Sequence, residues 1–366
     1  MFEKVNPGHP DKMADRLSGA IVDLAYERSE GGFLHGNPRI AVEVLAGHNR
    51  VDVQIETSLG RMDLRADDIR PLIHRVFGER VHSNILIAPQ DAHLSENQTR
   101  GLRCGDGSAT DREALATEGT QERHHRQEER VYRCGDNGIF KGVPPTYEQK
   151  LLTAFAESLY ERWPYDGKYI IGRFDFQNFI RPSEGGKGSK AVTICQSHAT
   201  EEEIAELWNK FWEQRGAKAV PRRPDRPGID NCYRHDAYGA FSVKINPLGP
   251  WTGGIDVDCG CTNRKLGSDM GDGVTGGGLM GKDLSKADVS VNIVCYLKAV
   301  ASGQTVTAMC SIGDESVTFQ YADGRRETET FADIVEMARL YILTDCGGSF
   351  ERFAEWGLIR PRIYKD

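Results

Sequence analysis

The sequence lacks the features that would place it in one of the simpler classes of protein. Its nine cysteines in 366 residues form no C-x-x-C pair, which argues against a zinc site or a disulfide scaffold and favours reduced thiols. No apolar run reaches the roughly twenty residues of a membrane span, and no charged-then-apolar leader opens the chain. Basic residues are not in excess, since the net charge is -8, so we expect no nucleic-acid partner. These absences predict a soluble cytoplasmic protein that binds neither membranes nor nucleic acid.

Glycine, by contrast, is concentrated between Asp256 and Asp288, where the chain reads DVDCGCTNRKLGSDMGDGVTGGGLMGKDLSKAD. Glycine at this density lets the backbone turn sharply or come very close to a ligand. The stretch also carries cations interleaved with carboxylates, namely Arg264, Lys265, Lys282 and Lys286. Fixed cations beside carboxylates suit a polyphosphate whose charge is shared with bound metal ions. We therefore predict a phosphorylated substrate.

A P-loop is an alternative reading of part of this stretch. Gly276 to Lys282 fits the opening of the motif, G-x-x-x-x-G-K. The next residue is Asp283, where the motif needs Ser or Thr to reach Mg2+, and no buried-strand run precedes it. We reject the P-loop on these grounds, while a purely structural glycine-rich loop stays an alternative.

A pattern of helix, hairpin and helix recurs three times along the chain. Apolar periodicity predicts the following elements: helices from Met13 to about 25 and at 68–77, 151–160, 200–215, 286–300 and 331–343, and hairpins at 40–46/51–58, 168–176/191–196 and 305–312/316–321. Recurrence at this spacing predicts an α+β fold of three similar modules, each a mixed or antiparallel sheet with helices on its outer face. We place the modules at 1–145, 146–240 and 241–366.

Three segments are less clear. Residues 91–133 are polar and cannot form a core of their own, which predicts a lid. Residues 216–238 are rich in Pro and Arg and are interpreted as a connector into a strand at 241–245. The valine and isoleucine content of Lys286 to Val300 would suit a strand as well as the predicted helix.

Several polar residues allow both a structural and a functional interpretation. Asp11 lies just ahead of the first apolar stripe, so it could be the N-cap of a helix, and His9 could be a simple turn residue. Glu43 and Glu56 fall on paired strands of the first hairpin. They could lie on a solvated sheet face or form a cation or ammonium site.

Four pieces of the chain resemble methionine adenosyltransferase, also called S-adenosylmethionine synthetase. They are GHPDKMAD at 8–15, GDNG at 135–138, FSVKINPLGPWTGG followed by DCGCTNRK at 241–265, and GGGLMGKDLSKAD at 276–288. The pieces occur in the family's order and span the chain. The resemblance implies three intertwined subdomains and active sites shared between two subunits, in a homodimer or a dimer of dimers.

The resemblance also implies an activity. The sulfur of L-methionine would attack C5' of ATP with loss of triphosphate, which is then hydrolysed to pyrophosphate and phosphate. A thioether carries no proton, so the attack needs no general base, and the departing triphosphate is what must be stabilised. Each fixed cation ~4 Å from a phosphate oxygen contributes about 4 kcal/mol at an effective dielectric of ~20, before desolvation.

Individual residues receive roles through the same resemblance. The implied ATP-binding residues are Glu3, His9, Asp136, Asp166, Lys168, Trp251, Asp258, Arg264, Lys265 and Lys282. Five of these are implied to be catalytic: His9, Lys168, Arg264, Lys265 and Lys282. The implied methionine-binding residues are Glu56, Gln90, Asp136, Asp258 and Lys286. Asp11 and Asp288 are implied to hold Mg2+, with two ions expected, and Glu43 is implied to hold K+.

Two other functions are kept as alternatives. One is a nucleoside-triphosphate or tripolyphosphate hydrolase, and the other is a non-catalytic nucleotide-binding regulatory subunit. Glu56, Asp136 and Lys286 favour the transferase, because a phosphatase needs no amino-acid pocket. His9, Asp11 and the cations argue against a subunit without activity.

Overall fold

The structure is a computed structural model that describes residues 1–60, 62–91, 132–173, 190–215, 218–220, 231–235 and 239–361. The helices in these ranges are α1 (Pro10–Arg28), α2 (Gly32–His35), α3 (Ala66–Phe77), α4 (Tyr147–Arg162), α5 (Glu201–Glu213), α6 (Leu266–Met270), α7 (Ala287–Ser302), α8 (Phe331–Asp345) and α9 (Phe350–Trp356). The strands are β1 (Phe2–Val5), β2 (Ile40–Gly47), β3 (Arg50–Thr57), β4 (His82–Pro89), β5 (Gly138–Gly142), β6 (Gly167–Arg173), β7 (Lys190–Gln196), β8 (Lys218–Val220), β9 (Asn231–His235), β10 (Gly239–Ile245), β11 (Cys259–Cys261), β12 (Val306–Cys310), β13 (Ser316–Tyr321) and β14 (Arg326–Thr330). Almost all of the predicted lid, residues 92–131, lies outside the described residues.

The described strands form three sheets, each of which combines distant parts of the chain. Their orders are β1-β6-β7-β10-β9-β8, β11-β2-β3-β4 and β14-β13-β12-β5. The first sheet is mixed, because β7 and β10 run parallel. The second is also mixed, with β3 and β4 parallel, while the third is antiparallel. The predicted α+β class with three mixed or antiparallel sheets is confirmed, whereas the module boundaries at 145 and 240 stay predictions.

In the second sheet, alternating apolar and polar residues decide which face is buried. Val42 and Val44 are buried, whereas Glu43 and Leu45 are exposed between them. Helices α1 and α3 cover the buried face. The hairpin turn uses His48 and Asn49, whose positive φ angles of 51° and 61° are those of a type I′ turn, which fits the right-handed twist of the two strands.

Two helices are buried on almost every side. In α7 every residue from 287 to 296 is buried, and α1 buries residues around its whole circumference. The ambiguous segment 286–300 is therefore a helix, since its apolar residues surround the axis and find partners on all sides. Gly303, in the left-handed conformation with φ 68°, ends it.

The interpretation of 216–238 as a connector is wrong in its described part. Lys218–Val220 and Asn231–His235 are strands, and β9 pairs with both β8 and β10. These strands are three and five residues long, which is too short for periodicity to reveal them. β9 lies between β8 and β10, so the hydrogen bonds of β8 come from β9 and those of β9 come from both neighbours.

A buried group of charges joins the N-terminal elements to α6. The Lys12 ammonium lies 3.1 Å from the Asp15 carboxylate and 2.8 Å from that of Asp269, and all three side chains are fully buried. Asp15 also accepts a hydrogen bond of 2.8 Å from the Asn263 backbone N–H. Burying one charge is costly unless its partners are present, so these residues specify a single arrangement of α1 against α6.

We expect Lys12→Met to destabilise the protein by about 3–5 kcal/mol, because it leaves two buried carboxylates without their shared cation. Urea unfolding followed by circular dichroism measures this change. The matched control is Lys210→Met, which removes a lysine 2.6 Å from Glu206 on the surface and should change stability little. Equal effects of the two substitutions would contradict the role given to the buried group.

Candidate functional site

The first cluster of candidate residues lies where β1 leads into α1. It comprises Glu3, His9, Asp11, Asp166, Lys168, Trp251, Asp258, Arg264 and Lys265. His9 is the N-cap of α1, since its Nδ1 accepts a hydrogen bond of 3.2 Å from the Asp11 backbone N–H. The reading of Asp11 as the N-cap is therefore wrong. Asp11 lies in the first helical turn and is 1% exposed, and its Oδ1 accepts a 2.9 Å hydrogen bond from the Cys261 backbone N–H.

His9 is held neutral in this cluster. Burial, together with the cations of Lys265, Lys168 and Arg264, lowers the pKa of His9 to about 3. The 3.8 Å approach of its Nδ1 to the Asp11 carboxylate is therefore not an ion pair at neutral pH. Because Nδ1 is an acceptor, the imidazole proton resides on Nε2. His9 can donate that proton in a hydrogen bond to a ligand.

Three cations share two carboxylates beside His9. Glu3 lies 2.9 Å from the Lys168 ammonium and 3.1 Å from that of Lys265. The Arg264 Nε lies 2.8 Å from Asp11, and the Lys265 ammonium is 3.9 Å from the same carboxylate. Burial alone would raise the pKa of Glu3, but hydrogen bonds from Lys168 and Lys265 outweigh it and the pKa is lowered. The cations outnumber these carboxylates, so the group is suited to an anionic ligand.

Strand pairing and a short helix bring these cations together. β1 pairs antiparallel with β6, with Val5 opposite Lys168, so Glu3 and Lys168 lie near each other on adjacent strands. Lys265 is the N-cap residue of α6. A cavity of about 330 Å³ opens beside Glu3, Arg264 and Lys265. A ligand in this cavity would contact Arg264 and Lys265, whereas Lys168 does not line it.

Asp166 and Trp251 lie together at the edge of the first cluster. Asp166 Oδ2 accepts a 2.9 Å hydrogen bond from the Gly254 backbone N–H, while its Oδ1 is buried without a partner among the described residues. A Cβ atom on Gly253 would lie 2.6 Å from the Trp251 ring and 2.7 Å from the Asp166 Cβ, so only glycine permits this packing. Burial, helped by the carboxylates of Asp258 and Asp11, raises the pKa of Asp166 to about 6. Its free oxygen can accept a hydrogen bond from a ligand hydroxyl.

The second cluster comprises Asp136, Lys282, Lys286 and Asp288. The Lys282 ammonium lies 2.6 Å from Asp288 Oδ2. Burial and the neighbouring Asp288 carboxylate raise the pKa of Asp136, which Lys286 and Lys282 partly offset. The Gly277 backbone approaches so closely that a Cβ there would lie 2.1 Å from Asp288 Oδ1. Segment GDNG and segment GKDLSKAD are thus adjacent although far apart in sequence.

Glu43, Glu56 and Gln90 lie on or beside the second sheet. Glu43 and Glu56 point to its exposed face, where Glu56 is opposite Ala41 and Ala41 forms a bridge with Lys282. The Thr262 hydroxyl donates a hydrogen bond to Glu43. Gln90 donates its backbone N–H to Thr57 O at 2.8 Å, and its side-chain oxygen is buried without a partner among the described residues. Glu56 therefore borders the second cluster.

The predicted site residues thus fall into two groups in one chain. His9, Lys168 and Lys265 belong to the first cluster, whereas Lys282 pairs within the second. Sequence reasoning missed Thr262, which lies in the motif DCGCTNRK but is 219 positions from Glu43, so only the tertiary contact reveals it. Among the described residues, Lys168 and Lys265 share Glu3 as a partner, whereas Lys282 pairs with Asp288.

The candidate metal ligands agree with the chemistry of magnesium. Mg2+ in phosphate sites commonly uses one or two carboxylates, with phosphate oxygens and water as the other ligands. Asp11 and Asp288 offer one carboxylate each, in different clusters. In the described part of the chain, no cluster of three or more His, Cys, Asp or Glu side chains has the arrangement of a metal site. No helix of that part is long and apolar enough to cross a membrane.

Comparisons with known proteins were made by sequence and by structure. No protein-family model matches the chain. The S-adenosylmethionine synthase of Nitrobacter hamburgensis is 26% identical over 309 residues, which cover 79% of this chain and 70% of the relative. That of Pelagibacter ubique is 25% identical over 295 residues, covering 79% and 69%.

A solved structure has a similar fold. An unusual S-adenosylmethionine synthetase from Campylobacter jejuni aligns with a TM-score of 0.53 at 17% identity, covering 96% of this chain and 87% of that one. At this identity the likeness concerns the fold alone. The curated relatives, together with the four motifs, support the placement of this chain as a divergent member of the S-adenosylmethionine synthetase family.

Proposed function

We propose that this protein forms S-adenosylmethionine from ATP and L-methionine. The observation that carries the proposal is the convergence of Lys168, Arg264 and Lys265 on Glu3 and Asp11, beside a neutral His9. This arrangement is suited to a triphosphate leaving group. The relatives' names support the same activity, at identities of 25–26%.

The proposed reaction is a displacement at C5' of ATP by the methionine sulfur. The lone pair of the sulfur forms the new bond, and the electrons of the breaking C5'–O bond leave with triphosphate. Lys168, Arg264 and Lys265 stabilise the growing negative charge, each by about 4 kcal/mol at ~4 Å and an effective dielectric of ~20 before desolvation. His9 donates its Nε2–H to an oxygen of the departing group. The same cations would stabilise the subsequent hydrolysis to pyrophosphate and phosphate.

Other residues orient the substrates. Trp251 would stack on the adenine, and the unpartnered Oδ1 of Asp166 would accept a ribose hydroxyl. Methionine would bind between the second cluster and the exposed sheet face. There Glu56 would pair with its ammonium and Lys286 with its carboxylate, and Gln90, Asp136 and Asp258 would complete the site.

Ions would complete the phosphate site. Asp11 and Asp288 would hold Mg2+, with two ions expected, and Glu43 would hold K+ with help from the Thr262 hydroxyl. Bound Mg2+ supplies positive charge to the phosphate oxygens. A cytoplasmic location, where ATP and methionine occur together, stays a prediction.

We further propose that a homodimer builds each active site from both chains. The first cluster of one chain would face the second cluster of its partner. Leu45 and Leu86 support this proposal, because they are 52% and 55% exposed on the sheet face that carries Glu43 and Glu56. Exposed apolar side chains beside functional ones are typical of an interface. Two such dimers could pair further into a dimer of dimers.

The direct test is an assay of purified protein with ATP, L-methionine, Mg2+ and K+. We expect S-adenosylmethionine together with phosphate and pyrophosphate. Release of phosphate without the sulfonium product would favour the triphosphate hydrolase instead. Nucleotide binding without either product would favour the regulatory subunit.

Lys168→Ala should lower the rate at saturating ATP by about 10²–10³, because the lysine stabilises charge that develops in the transition state. Nucleotide affinity should fall less than about tenfold. Single-turnover kinetics and calorimetry separate the two effects. Lys298→Ala is the matched control, since Lys298 is likewise an ion-paired lysine, whose partners Glu327 and Glu329 lie at 2.8 Å on the third sheet. An unchanged rate for Lys168→Ala would refute the assigned role.

Mixing two inactive variants tests whether the site is shared. In a mixed dimer of Lys168→Ala and Lys282→Ala, one site carries both substitutions and the other carries neither. After co-refolding at equal amounts, about a quarter of the wild-type activity should return, because half of the dimers are mixed and each has one intact site. Mixtures that stay inactive would place Lys168 and Lys282 in the same chain's site.

His9 should show no titration near its ordinary pKa. Its pKa of about 3 keeps the imidazole neutral from pH 5 to 8, so His9→Asn should lower the rate without changing the shape of the pH–rate profile in that range. Nitrogen-15 spectra of the wild-type imidazole should show a proton on Nε2 alone throughout. A transition of its signals with a midpoint near 6.5 would contradict this assignment.

A further inference from the structure

A buried network of neutral side chains lies beneath the first cluster. Its members are Asn6, Tyr169, Gln196 and Asn246, none of them more than 7% exposed. The Tyr169 hydroxyl donates to Gln196 Oε1 at 2.5 Å and accepts from Asn6 Nδ2 at 2.9 Å. None of the four belongs to the residues that the reaction mechanism uses.

The Gln196 amide anchors the backbone that leads to Asp166. Its Nε2 lies within hydrogen-bond distance of four carbonyl oxygens, those of Trp163 (3.3 Å), Tyr165 (3.4 Å), Asp166 (3.3 Å) and Ser197 (3.2 Å). The same amide's Oε1 is the acceptor for Tyr169, so the amide orientation is determined. The Gln196 side chain alone therefore contacts most of the loop 163–166 and fixes its position.

The ends of the network reach other parts of the site. Asn246 Oδ1 accepts hydrogen bonds from the Gln196 backbone N–H at 3.0 Å and from the Trp251 indole at 3.3 Å. Asn6 Oδ1 accepts the Gly8 backbone N–H at 3.0 Å, immediately before His9. The network thus touches three segments that carry candidate ligand contacts.

Gly167 shows how closely the network approaches the site. A Cβ atom at this position would lie 2.1 Å from the Tyr169 hydroxyl, 2.5 Å from Asn6 Nδ2 and 2.6 Å from Gln196 Oε1. Gly167 stands between Asp166 and Lys168. The backbone between Asp166 and Lys168 therefore packs directly against the network.

We propose that Asn6, Tyr169, Gln196 and Asn246 are positioning residues that hold the loop 163–168 and Trp251 in one geometry for the nucleotide. This inference rests on the function proposed above. Asn6 Nδ2 also donates to the Tyr165 carbonyl oxygen at 2.9 Å and to Gln196 Oε1 at 3.4 Å. Loss of one hydrogen bond in this buried group therefore lets the remaining bonds rearrange together. Tyr169 is fully buried, so it acts only through the segments it holds.

Tyr169→Phe tests the proposal, since it removes the hydroxyl and leaves the ring. We expect the KM for ATP to rise about tenfold, the equivalent of one buried hydrogen bond, with the KM for methionine nearly unchanged. Tyr321→Phe is the matched control: Tyr321 is also buried in a sheet, and its hydroxyl donates to Glu327 at 2.6 Å away from the first cluster. Tyr321→Phe should leave the KM for ATP and the KM for methionine unchanged, even if it lowers the melting temperature as much as Tyr169→Phe does.

A second measurement does not depend on turnover. The indole N–H signal of Trp251 in nitrogen-15 spectra, assigned with Trp251→Phe, should shift in Tyr169→Phe and not in Tyr321→Phe. Amide exchange of 163–168 should also accelerate in Tyr169→Phe alone. Gln196→Glu, which sets an oxygen against four carbonyls, should give the larger effect on both signals if it folds.

The outcomes separate this inference from the proposed function. A wild-type protein that makes no S-adenosylmethionine would overturn the function, while the indole signal and amide exchange would still decide whether the network positions Trp251 and the loop. Tyr169→Phe with an unchanged Trp251 signal, unchanged exchange and an unchanged KM for ATP would overturn the positioning role, whatever its effect on melting.

Discussion

The attraction between the cations of the first cluster and the carboxylates of Glu3 and Asp11 is the interaction on which the site depends. Lys168, Arg264 and Lys265 would repel one another if those carboxylates did not lie between them. The buried ion group around Lys12 holds α1 against α6 behind them. Charge that is fixed in this way needs no rearrangement when an anion binds, which is what stabilisation of a leaving group requires.

Close backbone approach is the second constraint. Gly253 lets Trp251 and Asp166 pack together, and Gly277 lets the backbone reach Asp288, each at distances that a Cβ atom would forbid. Both glycines have positive φ angles, 63° and 77°, which other residues rarely adopt. The geometry of the two clusters therefore requires glycine at these two positions.

The division into two clusters relates the fold to the proposed assembly. Three sheets drawn from distant strands place one set of cations on the β1–β6 side and another at the start of α7. The sheet face that carries Glu43 and Glu56 is exposed in one chain, together with Leu45 and Leu86. A shared active site would explain these features with a single contact between two copies, and the alternative of a simply solvated face would leave the apolar residues unexplained.

Sequence alone determined the long elements, the α+β class and the identity of the candidate residues, because apolar periodicity and motif order are local properties of the chain. It could not determine β8 and β9, which depend on pairing with each other and, for β9, with β10, nor the N-cap role of His9, which depends on where α1 begins. Tertiary structure alone decided that Lys282 pairs with Asp288 while Lys168 pairs with Glu3, and that Asn6, Tyr169 and Gln196 meet against Gly167. Contacts between residues more than a hundred positions apart have no trace in local pattern, since they arise only when strands from different modules join one sheet.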